Sequence, residues 1–371
     1  MSVSETRTVT ANQARESILV CFKAKRPLFL HGSPGIGKSD LVAGLTKEMG
    51  GHMVDLRLPL LDITDLKGMP YYSKEDDTMR WAPPVDLPTV EFAEQFPIVV
   101  LFLDEMNAAA PAVQASAYQL ILNRRVGQYK LPDNVVVIAA GNKESDKGVT
   151  YRMPSPLANR FVHLEMRHDF ESWLDWATEA NIHKDVVGYL SYAKSKLFDF
   201  DPKSSSRSFA TPRSWSFVSE LLTQERETSK STLTDLISGT VGEGLALDFM
   251  AHREIASSLP HPTDILSGKV ATIESKEGKE ISAMYSLTIG LCYELKELYD
   301  RVYKENPEEW NVAGDRFVKF IFNNFNPELN ILAMRIALKN YDLPFVPGKI
   351  PSYKEWSSKY GKHIIRAIGI N

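Results

Sequence analysis

Only two of the 371 residues are cysteine, Cys21 and Cys292. Two thiols set among apolar neighbours make neither a disulfide framework nor a zinc cluster. They point to buried free cysteines and a reducing cytoplasm. Long apolar runs are missing too. No stretch approaches the roughly 18 residues of a membrane span, and the longest of note, residues 98–103, is strand-sized. The first twelve residues are polar and have no apolar centre, which excludes a signal peptide. There is no repeat at a fixed period and no long low-complexity tract. An excess of positive charge is also lacking. The net charge of −4 means the molecule as a whole is no trap for nucleic acid, although a local basic patch leaves that partner open.

What is present is ordinary for a globular chain: 43% hydrophobic and 24% charged residues, enough to bury a large core without covalent staples. The first half alternates strands and helices. Helical spacing over residues 11–24 precedes a short apolar strand at 27–31. A glycine-rich turn and a helix at 38–49 follow, then strands at 54–58 and 98–103. A helix over 112–123 leads to strands at 135–140 and 162–164. That alternation predicts an α/β fold around a parallel sheet whose strands are covered on both faces. After about residue 167 the periodicity is helical, over 170–180, 186–197, 241–256, 284–303, 315–325 and 328–339, with another helix starting near Pro212. Trp173, Trp176 and Tyr189 are candidates for its core, and Phe317, Phe320, Ile321 and Phe325 form a core stripe. The expected partition is an α/β core over 1–167, a helical lid over 168–255 and a helical extension over 256–371.

Gly32-Ser33-Pro34-Gly35-Ile36-Gly37-Lys38-Ser39 fits G-x-x-x-x-G-K-[ST] without a mismatch. Each position has a physical role. The glycines let backbone N–H groups curl around phosphate oxygens. The helix that opens at Lys38 turns its positive end to the anion. Lys38 is expected on the β- and γ-phosphates, and the Ser39 hydroxyl on Mg²⁺. The motif follows an apolar strand and opens a helix, the context that separates a phosphate loop from a chance glycine turn. A second apolar strand ends in Asp104-Glu105. Ligands of open α/β sheets sit at carboxyl ends of strands, so Asp104 is expected in the metal shell and Glu105 as the base that polarises the attacking water. Alone, such a pair is a common solvated turn; downstream of a phosphate loop it points to ATP hydrolysis.

Here the chain resembles the AAA+ ATPases, and within them the MoxR-like, helix-2-insert group. Leu103-Asp104-Glu105-Met106-Asn107-Ala108-Ala109, followed by Pro111 and Gln114, resembles the group's D-E-[IM]-N-[RK]-A block. Asp62-Ile63-Thr64-Asp65-Leu66-Lys67-Gly68 resembles its D-x-x-D-[LI]-x-G segment, inside an insertion at about residues 60–90. The resemblance covers roughly residues 12 to 250. It implies that Asn142, after the strand at 135–140, is the sensor that orients the water. Leu157-Ala158-Asn159-Arg160-Phe161 is similar to L-x-x-R-F, which implies that Arg160 is an arginine finger reaching a neighbour's γ-phosphate, with Arg152 as a second candidate. Thr211-Pro212-Arg213 resembles the lid's [ST]-P-R motif and implies that Arg213 reaches the nucleotide from a helix capped by Thr211. The family's β-hairpin before the sensor strand is short here, over 125–131 with Gly127-Gln128 at its tip. Met69-Pro70-Tyr71-Tyr72 and Trp81-Ala82-Pro83-Pro84 in the insertion read as packing on their own subunit or as substrate-gripping loops.

The resemblance further implies ATP and Mg²⁺ as cofactors. It implies a homo-oligomer, a hexameric ring, that remodels a partner in a chaperone-like way. A separately encoded protein with a von Willebrand A-type domain is the implied companion. The alternative is a nucleic-acid-stimulated motor subunit of a restriction or defence-type system. A P-loop small-molecule kinase fits less well, because of the acid pair, Asn142 and Arg213.

Overall fold

The computed structural model describes residues 7–146, 151, 153–225, 228–273 and 281–368. The chain forms two compact units. One runs up to Ser172 and takes in Asp201–Ser205; the other comprises Trp173–Phe200 and the chain from Ser206 onward.

The first unit begins with β1 (Thr8–Val9), α1 (Ala11–Ala24), β2 (Leu28–His31), α2 (Lys38–Glu48) and β3 (His52–Arg57). Then come α3 (Ile63–Lys67), β4 (Met69–Ser73), β5 (Thr78–Ala82), α4 (Val90–Ala93) and β6 (Val99–Asp104). It closes with α5 (Pro111–Asn123), β7 (Arg125–Val126), β8 (Tyr129–Lys130), β9 (Val135–Gly141), α6 (Ser155–Ala158) and β10 (Val162–Met166). Six strands make one parallel sheet in the order β1-β10-β2-β9-β6-β3. The central strands β2, β9 and β6 are covered on both faces, as their unbroken apolar runs predict. Along β6, Val100 and Phe102 join Ile18, Phe22, Val42 and Leu45 of α1 and α2. Val99, Leu101 and Leu103 turn the other way, onto Val113, Ala117, Leu120 and Ile121 of α5. A side chain such as Phe102, with no exposed surface, contributes about 1.5–3 kcal/mol by leaving water.

The insertion folds as an antiparallel hairpin, β4 with β5, pairing Met69 with Ala82 and Tyr72 with Met79. The sequence reading had loops there. The alternation is masked because residues on both faces are exposed: Met69, Tyr71, Tyr72 and Met79 all lie open to solvent. The expected hairpin over 125–131 forms as the two-residue strands β7 and β8. The short β1 was not legible, since two residues carry no period.

The second unit is helical, entered along α7 (Phe170–Glu179). It continues with α8 (Lys184–Tyr192), α9 (Pro212–Thr223), α10 (Lys230–Val241), α11 (Glu243–Ala256) and α12 (Pro262–Leu266). It ends with α13 (Ile281–Val302), α14 (Pro307–Asn324), α15 (Pro327–Arg335) and α16 (Pro351–Ile368). Among the described residues no strand follows β10. Trp173 and Tyr189 are buried, as are Phe317, Phe320, Ile321 and Phe325, whereas Trp176 is 38% exposed. Gly242, at φ 96°, separates α10 from α11 at the edge of the helix expected over 241–256. No described helix is long and apolar enough to cross a membrane.

Candidate active site

The strand order places the chemistry. β9 lies between β2 and β6, so the segment leaving β9 emerges between the phosphate loop after β2 and the acid pair after β6. This is the carboxyl edge of the sheet, where open α/β folds bind ligands.

The loop Gly32–Ser39 runs from β2 into α2. Gly35 and Gly37 have φ of 73° and 90°, a left-handed conformation that side chains with a Cβ resist. Gly37 is the N-cap of α2 and offers no side-chain cap. The helix's first N–H groups therefore stay directed at the loop. Gly32 is held to β9 by its N–H, which donates to the Gly141 carbonyl at 3.2 Å. Ile36 is buried, and Ser33 and Pro34 are half-buried. Lys38 is 9% exposed. Its Nζ donates to the carbonyls of Gly32 and Ser33 at 2.7 and 3.1 Å, and to Asn142 Oδ1 at 3.4 Å. The Ser39 hydroxyl donates to Asp104 Oδ2 at 3.2 Å. Asp104 Oδ1 accepts from the Glu105 N–H at 2.9 Å. Glu105 is exposed and left-handed, with φ 52°. A non-glycine residue held there costs about 1–2 kcal/mol, and such strain is concentrated at functional sites.

Lys38, Ser39, Asp104, Glu105 and Asn142 therefore meet at one sheet edge. Arg160 is exposed on the turn between α6 and β10, and among the described residues no hydrogen bond joins it to this cluster. Arg152 lies outside the described residues. Arg213 belongs to the second unit, in the first turn of α9, and is exposed. The cap expected before it is present: Thr211 accepts from Ser214 N–H at 3.1 Å, Ser214 Oγ accepts from Thr211 N–H at 2.7 Å, and Pro212 opens the helix.

Three further features were given no role from sequence. Asp55, on β3, has its carboxyl raised above the usual range by burial and then by the nearby Asp104, against the pull of Arg57. An acid inside a short strand was the available signal. His31 bonds His163 between Nε2 and Nδ1 at 2.9 Å, and His163 Nε2 meets the Ala158 carbonyl at 2.8 Å. A carbonyl only accepts, so His163 carries its proton on Nε2 and His31 donates to it. Burial, then the repulsion that a protonated His31 would meet from a protonated His163, pushes the His31 pKa down to about 4. Finally, Asn107 donates to the Asn142 carbonyl at 2.8 Å.

Residues 28–166 match the family "ATPase family associated with various cellular activities (AAA)". The chain is 26% identical over 181 residues to Midasin of Giardia intestinalis, covering 47% of this chain and 4% of that one. It is 25% identical over 202 residues to the protein MoxR of Methylorubrum extorquens, covering 52% of this chain and 56% of MoxR. It thus spans about half of MoxR and a small part of Midasin. Among solved structures, Thermotoga maritima RuvB superposes with a TM-score of 0.35 at 16% identity, over 67% of this chain and 75% of that one. NtrX of Brucella abortus in complex with ADP does so at 0.37 and 15%, over 98% and 70%. At those scores the fold assignment stands on the strand order and the phosphate loop instead. Residues 28–166 thus carry a domain that matches the AAA ATPases, and the chain is similar to MoxR over about half its length.

Proposed function

We propose that the whole chain hydrolyses MgATP inside a ring of like subunits, a hexamer, and uses the cycle to remodel a partner protein or complex. The observation that carries this is the Ser39 to Asp104 bond beside the Lys38 to Asn142 contact, which gathers the phosphate-binding and hydrolytic side chains at one edge. The backbone N–H groups of Ser33, Gly35, Ile36, Gly37 and Lys38 and the Lys38 ammonium bind the phosphates. Ser39 and Asp104 offer two hard oxygen donors side by side, which suits an octahedral oxygen-loving cation, and these two residues would hold Mg²⁺. Bound with the nucleotide, that ion supplies neutralisation of charge on the phosphate oxygens. Glu105 takes a proton from the attacking water, Asn142 orients that water, and Arg213 and a neighbour's Arg160 meet the charge that develops on the γ-phosphoryl group.

In this reading residues 168–255 act as the lid that carries Arg213, and residues 256–371 as an extension. The protein works in the cytoplasm, in keeping with the free, buried Cys21 and Cys292. Its companion is a separately encoded protein with a von Willebrand A-type domain.

The test is nucleotide binding and phosphate release by the purified chain with magnesium. Wild type binds ATP and turns it over. Lys38→Ala loses the affinity. Glu105→Gln keeps it and slows turnover by about 10²–10⁴-fold, the usual worth of a general base. ATP affinity in Lys38→Ala equal to that of wild type would overturn the site. Stimulation by DNA that steepens at low salt would move the reading to a nucleic-acid motor.

A further inference from the structure

Asn107 lies two residues after Glu105, in the turn Met106–Ala108. It is 8% exposed. Its Nδ2 donates to the main-chain carbonyl of Asn142 at 2.8 Å, and its own carbonyl accepts from the Tyr151 N–H at 2.7 Å. Its Oδ1 is buried without a hydrogen-bond partner among the described residues. A buried orphan acceptor costs about 1–3 kcal/mol. An apolar side chain of the same size would fill this space without that cost. What the amide supplies is its donor half, which satisfies the Asn142 carbonyl.

What it contacts is the hydrolytic machinery. The Asn142 peptide that accepts its N–H carries the side chain whose Oδ1 stands 3.4 Å from Lys38 Nζ. One amide thus ties the loop after the acid pair to the loop after β9. Gly141 shows that the approach is close. A Cβ there would come within 2.2 Å of Asn107 Oδ1 and 2.7 Å of its Cγ, both nearer than real Cβ contacts. The Gly141-Asn142 dipeptide, which resembles an ordinary turn in sequence, is a glycine that makes room for Asn107 followed by the residue Asn107 holds.

We propose that Asn107 is a positioning residue: it fixes the Asn142 peptide relative to Glu105, so that the Asn142 amide faces the phosphate site, and Gly141 is required because any side chain would displace it. This rests on the hydrolytic role given above to Asn142. Asn107 acts through the Asn142 peptide and not on the reacting atoms. Removing its bond leaves the phosphates cradled but loosens the group that orders the attacking water.

The discriminating variant is Asn107→Leu, of similar size, which removes the orphan Oδ1 and takes the donor away from the Asn142 carbonyl. Three quantities are read on the full chain: nucleotide Kd, kcat for ATP, and the thermal midpoint. The midpoint is expected to change little, because removing the orphan Oδ1 offsets the donor lost to the Asn142 carbonyl, and Kd to stay within about twofold of wild type. The kcat is expected to fall at least roughly tenfold, as misplacement of a catalytic contact does. Asn142→Ala should lose as much, and Asn107→Leu/Asn142→Ala no more than either alone, because groups acting as one unit are non-additive. Should Asn107→Leu fail to fold, Asn107→Ala takes its place in the same cycle. Wild-type kcat in the Asn107 variant beside an impaired Asn142→Ala sinks this proposal alone. Losses that multiply in the double variant do the same. An unimpaired Asn142→Ala removes the role of Asn142 and this proposal with it.

Discussion

His31 ends the strand that feeds the phosphate loop, and its ring stacks on Phe29 with centroids 4.2 Å apart. Its surroundings disfavour a second proton. Burial and His163 both disfavour the imidazolium, and Glu165, which favours it, is already paired with Lys143 at 2.7 Å. The pH consequence follows from the direction of the shift. An unfolded histidine titrates near 6.5 and folded His31 at about 4. Between these values the unfolded chain binds more protons. The stability from keeping His31 neutral is fully present above pH 6.5 and is lost as pH falls toward 4. A shift of this size corresponds to at most about 3 kcal/mol. His31→Gln should therefore flatten the fall in urea stability between pH 6.5 and 4 by a measurable part of that amount. Parallel wild-type and variant curves over this range would show that His31 does not carry the effect.

At the scale of the element, the Thr211-Pro212-Arg213 turn joins a stability device to a candidate nucleotide contact. The capping box satisfies two backbone N–H groups at the start of α9, and Arg213 follows within the first turn. Thr211→Ala removes the hydroxyl that accepts from Ser214 N–H and should lower unfolding stability by about 1 kcal/mol, read from urea midpoints. An unchanged midpoint would mean the box contributes nothing to α9. This cap was legible in sequence because capping is local: three adjacent residues state it. The phosphate loop and acid pair were legible for the same reason. Each sits at the end of an apolar strand whose period and punctuation are local. What escaped was tertiary. The hairpin of β4 and β5 exposes Met69, Tyr71, Tyr72 and Met79 and so leaves no clean alternation to read. Asp55, His31 and Asn107 gain their meaning from neighbours far away in sequence: Asp104, His163 and Asn142. The helix α16 was missed although Trp356, Tyr360 and Ile364 recur at fourfold spacing and are buried. Charged and small polar residues between them dilute the stripe.

At the scale of the whole molecule, the proposal requires that a site be completed by another subunit. Arg160 is exposed, on a turn that follows a four-residue helix, and His163 links that same turn to His31 through the Ala158 carbonyl. The turn that presents Arg160 is thus bonded to the strand that enters the phosphate loop of its own subunit. A head-to-tail ring repeats one heterologous interface, so a finger given to one neighbour is matched by a finger received from the other. Lys38→Ala keeps the finger and loses the phosphate site. Arg160→Ala keeps the phosphate site and loses the finger. Each alone should be inactive, Arg160→Ala with ATP affinity intact. Mixed in equal amounts under exchanging conditions, the two should recover turnover, since roughly a quarter of randomly formed interfaces then pair an intact phosphate site with an intact finger. If Arg160 instead served its own subunit, no mixture would recover anything, because neither variant holds both groups on one chain. Phosphate release from the mixture, against the sum of the two separate variants, decides between a shared site and a self-contained one.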